Sequence, residues 1–415
     1  MNRHAHPWQD SKAKHAWGRQ SAANRLCCGF HPSSPTMNPA GSILATTTQR
    51  ETALLASYAL HSADSRGRKH AEPEHPYRGP FQRDRDRIVH SSAFRRLSGK
   101  MQVFTGDMGD YHRTRLTHTH EVASIARTIG RALSLNEDLI EALALVHDIG
   151  HPPFGHAGEE ALDECLRDCG GFSHNRFALT LVEELESRYP AFPGLNLTQE
   201  VLEGQLARTD KQRGAAAPLA PLLETQVVEA ADSMTYDAHD ADDAVKLGLV
   251  SLEELAENDL VREALAGVRR QAAGLNDDLL RKAVVHQLID RQVNDLLARA
   301  SRDLASLGKI RAAEARQSAA RIGPSSELAE QKRELERFLY ERVYRHPQLA
   351  AVRHVAQSRL RGMFEFLVKN PDRLPARFGE RAKIVGIPRG VGDYLAGMTD
   401  RYCDQQHRAL GLSSE

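Results

Sequence analysis

From about Thr52 onward, apolar residues recur at three- and four-residue steps, the repeat of an α-helix, while strand-like alternation is scarce. In one run His118 shares a face with Val122, Ile125, Ile129 and Leu133, so a histidine points inward with the apolar side chains. The next run sets Ile140, Leu143 and His147 on one face until Gly150 and Pro152 stop it, with Ser134 and Glu137 at capping-box spacing ahead of it. A third run, Val228, Asp232, Tyr236 and Asp240, repeats every four residues and lines two carboxylates and a phenol along one stripe of an Ala- and Val-rich helix. Plain core packing does not call for such a stripe. The fold class these patterns predict is all-α.

Breaks in the pattern divide the chain. Asp210 to Pro221, with Gly214 and the alanines Ala215 to Ala217, reads as a loop, and Gly323 to Ser326 as a second break. Residues 1 to about 50 lack helical periodicity and carry Trp8, Trp17 and the Ser-Pro-rich run from Pro32 to Pro39. They are expected to be a disordered extension with an alternative start at Met37; a basic, Ser-containing targeting peptide is the other reading. The organisation expected is therefore an extension over 1–50, a chemistry-bearing core over 51–250, and a helical C-terminal region over 251–415 packed on that core.

Charge and cysteine content narrow the function classes. Lys+Arg and Asp+Glu both number 55, so no global field points to nucleic acid. Cys27, Cys28, Cys165, Cys169 and Cys403 lack paired CxxC spacing, against a disulfide framework or a thiolate zinc site and in keeping with a reducing, cytoplasmic setting. No apolar run approaches the roughly 18 to 20 residues that span a bilayer, so no membrane partner is expected.

The candidate chemistry lies in the segment His147-Asp148-Ile149-Gly150-His151-Pro152-Pro153-Phe154-Gly155-His156-Ala157-Gly158-Glu159. An adjacent His-Asp pair can give one nitrogen and one oxygen to a divalent ion, and two further ligands are needed to fix it. His118 and Asp232 are the candidates, because each lies on an inward helix face and a buried, uncompensated carboxylate is costly. Glu159 follows His156 at the i+3 helical spacing and can orient it; alone, Glu159 would read as a solvated carboxylate near a helix N-terminus. Two imidazoles suit Mn²⁺, Fe²⁺, Co²⁺ or Ni²⁺ better than Mg²⁺, which prefers oxygen.

With these residues in view, the chain resembles the HD superfamily of phosphohydrolases, and within it the deoxyguanosine triphosphate triphosphohydrolase group. The resemblance is carried by RDRDRIVHSSAFRRL (Arg83 to Leu97), GKMQVF (Gly99 to Phe104), TRLTHTHEV (Thr114 to Val122), HDIGHPPFGHAGEE (His147 to Glu160), GGFSHNRF (Gly170 to Phe177) and DYLAGMTDRY (Asp393 to Tyr402). It implies an HD helical bundle elaborated by additional helices, with His118, His147, Asp148 and Asp232 as metal ligands. It further implies that His156 with Glu159 supplies acid-base or in-line catalysis, that His151 contacts the phosphate chain, and that Arg115 reaches the α-phosphate. His174 matches another active-site histidine, with loop capping as its alternative. Tyr236 is implied to pack under the sugar, and Asp240 with Gln102 to bind its 3′-hydroxyl. Ser233 stands where a second acid or a lysine is common, and His120 where an apolar residue is usual, which leaves the β- and γ-phosphate contacts open.

The activity implied is metal-dependent hydrolysis of dGTP or other deoxynucleoside triphosphates to deoxynucleoside and inorganic triphosphate, by a homo-oligomer. An HD phosphatase or phosphodiesterase, or a nucleotide sensor and single-strand binder, are the alternatives; the long substrate-contact sequence beyond the HD core argues against the first, and the full set of catalytic positions against the second. The run from Arg337 to Arg345 interleaves arginine with Phe338, Tyr340 and Tyr344 and could hold single-stranded DNA or an activating nucleotide. An amphipathic helix with a solvated basic face is the reading favoured for it.

Overall fold

The three-to-four repeat of the sequence becomes helix almost wherever it occurs. The computed structural model describes residues 45–102, 113–212, 219–272 and 274–412, and these form 18 α-helices with isolated bridges, such as Met101 to Thr114, and no β-strand. The first half comprises α1 (Thr47–Leu54), α2 (Pro80–Val89), α3 (Ser92–Arg96), α4 (Arg115–Ala132), α5 (Glu137–Val146), α6 (Gly155–Cys165), α7 (His174–Thr180), α8 (Gln199–Gln212) and α9 (Leu223–Lys246). The second half comprises α10 (Leu252–Leu255), α11 (Asp259–Gln271), α12 (Asp277–Ala305), α13 (Ala312–Ala315), α14 (Ser326–Leu339), α15 (Pro347–Lys369), α16 (Ala376–Val385), α17 (Ile387–Ala396) and α18 (Asp400–Ala409). The fold is all-α. No helix among the described residues is long and apolar enough to cross a membrane. The expected extension up to Leu44, with its Met37 start, lies outside the described residues, as do positions 213–218 of the expected loop and Val103 and Phe104 of the second motif.

Helix starts show where local chemistry overrides spacing. Helix α1 already begins at Thr47, inside the expected extension, because Thr46 and Gln49 form a capping box. The cap of α5 is not Ser134 but Asn136, whose side chain accepts from Leu139 N at 3.2 Å. Ser134 instead turns left-handed (φ 54°) just past the end of α4, two residues too early to reach the orphan amides of α5. Asn136 also donates to Leu60 O at 2.7 Å, so one side chain starts a helix and anchors the preceding chain.

Apolar faces then position the site. Leu139, Ile140, Leu143, Leu145 and Val146 of α5 are all buried, and each contributes roughly 1.5–3 kcal/mol of burial, which holds the C-terminal end of α5 and hence His147 in place. Helices α4, α5 and α9 pack on one another. The larger apolar cluster joins residues between Ala59 and Met234 with residues between Leu296 and Cys403, and a second runs from Ala238 to Leu349. Helix α9 passes from the first cluster to the second between Met234 and Ala238, so Tyr236 stands at the seam.

Candidate metal and catalytic centre

Three helices deliver the inward histidines and the buried acid to one place. His118 comes from the first turn of α4, His147 caps the end of α5, and Asp232 lies in the middle of α9. His118 Nε2 is 3.1 Å from Asp232 Oδ1, and His147 Nε2 is 3.5 Å from the same oxygen. Asp148 Oδ1 sits 3.5 Å from His147 Nε2 and 3.1 Å from His151 Nε2, so it faces both this cluster and the next. The stripe along α9 is realised as read, with Asp232 part-buried and Asp240 fully so.

The donor set fits a divalent cation. His147 Nδ1 donates to Ala144 O at 2.6 Å, which leaves Nε2 as the lone-pair nitrogen, buried and without a hydrogen-bond partner. Ligand atoms about 2.1 Å from an ion lie about 3.0–3.4 Å from one another, and the two imidazoles stand at 3.1 and 3.5 Å from Asp232 Oδ1, close to that spacing. Each carboxylate divides its two oxygens: Oδ1 faces imidazole, while Asp148 Oδ2 accepts from Arg115 Nη1 at 2.8 Å and Asp232 Oδ2 from Arg208 Nη2 at 2.7 Å. Burial alone would raise both acids, but His151, His147 and Arg115 around Asp148, and His147 and Arg208 around Asp232, hold both well below the carboxylate range.

A second cluster of histidines and an acid lies beside the first. Glu159 on α6 receives His174 Nδ1 at 2.8 Å and His156 Nδ1 at 3.3 Å. Burial pushes Glu159 upward, yet these two hydrogen bonds outweigh it and keep the carboxylate well below its usual range. His174 also donates its backbone amide to Glu159 at 2.9 Å, so it starts α7 and joins the cluster at once. Its ring stacks on His151 at 3.8 Å, and His156 stands edge-on to both. His151 is buried, and burial together with Arg115 and His174 keeps it well below the usual imidazole range. His156 differs, with 55% of its side chain exposed.

Glycine and left-handed backbone make this crowding feasible. A Cβ at Gly150 would lie 2.1 Å from His174 O, so only glycine lets the turn after α5 meet α7. Phe154 and Gly155 are both left-handed (φ 63° and 59°), and a Cβ at Gly155 would approach Arg115 Nη2 to 3.0 Å. Asp400 ties this turn to the preceding motif, accepting from Phe154 N and Met101 N, each at 2.9 Å. Lys100 donates to the carbonyls of His151 and Ala396, and burial with the nearby Arg96 pushes its amine down to about 7.

The cleft opens from Asp232. A cavity of about 390 Å³ is lined by Asn175, Arg208, Lys211, Glu229, Ser233 and Tyr236 together with that acid. Tyr236 hydrogen-bonds Tyr344, whose hydroxyl in turn donates to Asp240. Asp240 Oδ1 and Gln102 Oε1 are both buried with no hydrogen-bond partner among the described residues. Burial and the neighbouring Asp243 and Asp237 push Asp240 well above the carboxylate range. Arg115 is wholly buried between Asp148 and Gln102 O.

Three residues at the site are not among the expected site residues: Arg208, Asp400, which falls inside the DYLAGMTDRY motif, and Tyr344. Tyr344 comes from the Arg337–Arg345 run, in which Leu339 and Val343 are buried and Tyr340 and Arg342 are exposed, the amphipathic arrangement favoured for it. Past Leu339 the helix widens into a π turn over Tyr340–Tyr344, and Tyr344 meets α9.

An HD domain model matches residues 115–237, and a phosphohydrolase-associated domain model matches residues 322–409. A deoxyguanosinetriphosphate triphosphohydrolase-like protein of Azoarcus sp. (strain BH72) is 43% identical over 365 residues, covering 86% of this chain and 96% of that one. Proteins of the same description from Geobacter sulfurreducens and Ralstonia pickettii are each 41% identical, covering 87% and 86% of this chain and 96% and 94% of their own lengths. A solved structure of a hypothetical protein from Aquifex aeolicus aligns with a TM-score of 0.42 at 19% identity, over 78% of this chain and 67% of that one, too loose a likeness to bear on the site. By these identities over most of its length, the chain belongs to the deoxyguanosinetriphosphate triphosphohydrolase-like family of HD-domain hydrolases.

Proposed function

We propose that the protein hydrolyses deoxynucleoside triphosphates at the α-phosphorus, releasing deoxynucleoside and inorganic triphosphate. The observation that carries this reading is the juxtaposition of a cation-ready cluster, which opens on a cleft with cationic side chains, with an exposed imidazole held by a charged carboxylate. His118, His147, Asp148 and Asp232 would hold a divalent metal, from the Mn²⁺, Fe²⁺, Co²⁺, Ni²⁺ or Mg²⁺ group. When bound, such an ion neutralises charge on the non-bridging phosphate oxygens and polarises water.

The remaining steps belong to the chain. Water adds to the α-phosphorus, the bond from phosphorus to the sugar O5′ breaks, and a proton must reach O5′. His156 is suited to deliver it, because Nδ1 faces Glu159 and Nε2 is directed away from that anion. Glu159 stabilises the imidazolium that gives the proton, and His174 on the same carboxylate keeps it oriented. His151, held neutral, gives its one ring proton to Asp148 Oδ1 at 3.1 Å, so its contact with the phosphate chain would be packing rather than donation. Tyr236 beneath the sugar and Asp240 at its 3′-hydroxyl favour a deoxyribose, since a phenol packed against C2′ leaves no room for a further hydroxyl. Arg208 and Lys211 line the cleft where a polyanionic tail would lie.

The test is product identification. With purified protein, Mn²⁺ and each dNTP in turn, chromatography is expected to show triphosphate and deoxynucleoside in equal amounts. Pyrophosphate with a monophosphate would instead mean that the α–β anhydride breaks rather than the bond to O5′, and would overturn the reading.

A further inference from the structure

A second cavity of about 390 Å³ lies outside the metal and catalytic clusters, between α3, the chain after α7, and α16 to α18. Its wall is formed by Arg96, Arg377, Phe378, Tyr394 and Tyr402, with Thr399 at one edge. The Phe378 and Tyr394 rings stand 5.1 Å apart, and Tyr402 is 41% exposed. The volume falls within the range of small-molecule sites, and aromatic rings and two guanidinium groups share the lining.

The cavity holds two guanidinium groups and two carboxylates, and the guanidinium groups are the less engaged. Its two acids are already engaged: Glu186 accepts from the amides of Ser92 and Ala93 at 2.9 and 2.8 Å, and Asp393 accepts from Arg381 Nε at 2.9 Å. Arg96 has one ion pair, a loose 3.8 Å contact to that same Glu186, and no hydrogen bond among the described residues. Arg377 has neither, and only lies over the Phe378 ring at 5.8 Å. Burial and the neighbouring cations Arg377 and Arg95 lower Arg96 despite Glu186, the signature of a cation short of counter-charge. A part-buried guanidinium without hydrogen-bond partners, beside a second one and an aromatic wall, is matched by an anionic head on a planar ring.

We propose that this cavity is a second ligand site, for a planar aromatic molecule bearing a carboxylate or phosphate, and that its occupancy is felt at the active site. The link is covalent and short. Thr399 lines the cavity and packs against Gly99, where a Cβ would meet its methyl group at 2.9 Å. The next residue, Asp400, holds Met101 N beside Gln102 and Phe154 N at the turn that leads into His156. A ligand that draws Arg96 toward the ring wall therefore bears on both ends of that brace.

The coupling rests on the proposed hydrolysis, whereas the binding does not, so the two are measured separately. In calorimetric titration, 1-naphthoate and 1-naphthyl phosphate are expected to bind saturably and at least about tenfold more tightly than inorganic phosphate. Arg96→Ala and the exposed Arg377→Ala are each expected to weaken them at least about tenfold, and Arg208→Ala, which alters the catalytic cleft, to leave them unchanged. Absence of saturable binding, or loss through Arg208→Ala with Arg377→Ala intact, overturns the site. In the dNTP assay 1-naphthoate is expected to change kcat or KM at least about twofold in the wild type and not in Arg377→Ala. Measured binding with no kinetic change overturns the coupling.

Discussion

Two clusters of histidine and carboxylate lie side by side, joined through His151, and are built differently. Around Asp232, every charged oxygen is divided between imidazole and guanidinium, His118 and His147 are shut away from solvent, and a lone-pair nitrogen is left without a partner. Around Glu159, one carboxylate is gripped by two imidazoles and one of those rings stands in the open. The first arrangement suits a cation that must stay. The second suits a proton that must leave, because an exposed imidazole can exchange it while the buried anion sets its orientation.

The strongest attack on this contrast removes a member of the first cluster. His147→Ala or Asp148→Ala is expected to lose bound metal and to lower turnover by about 10³-fold or more, read by metal analysis and the dNTP assay. Full metal occupancy in either variant would put the cation elsewhere. The second cluster should separate the two readouts: His156→Ala is expected to lower kcat by about 10²- to 10⁴-fold with metal retained. Metal loss in that variant would merge the clusters into one.

A milder change probes the guanidinium halves. Arg208→Ala is expected to weaken metal affinity about 10- to 100-fold, since a group that orients a ligand carboxylate acts at one remove. Competition with a chelator measures it, and unchanged affinity would leave Arg208 to the substrate alone.

How much of this was legible follows from how each residue is specified. His118, His147, Asp232 and Tyr236 lie on helices long enough for periodicity to fix which face they share, so the inward carboxylate of α9 could be read before any fold was known. The HDIGHPPFGHAGEE segment carried its turn in its own glycines, including Gly150 and Gly155. Arg208 and Tyr344 were not legible, because each is one charged or aromatic residue on an ordinary amphipathic helix, and its partner is chosen by packing between helices far apart in sequence. The start of α5 failed for a local reason: Ser134 has capping-box spacing to Glu137, but its left-handed backbone was committed to ending α4.

The smallest effect concerns Lys100, which braces the chain between the two clusters through the His151 carbonyl. Its amine is pushed down to about 7 by burial, while in the unfolded chain it holds its proton to about 10.4. Between those values the unfolded state binds the extra proton, so raising the pH penalises unfolding and the folded state gains. Below about 7 the amine is charged in both states and the dependence vanishes. Over one pH unit, from 7.5 to 8.5, this group adds at most about 1.4 kcal/mol to stability. Urea denaturation at those two pH values should show wild type gaining more than Lys100→Met by up to that amount. Parallel behaviour of the two proteins would mean that the amine stays charged inside the fold, with Asp400 and Asp148 outweighing its burial.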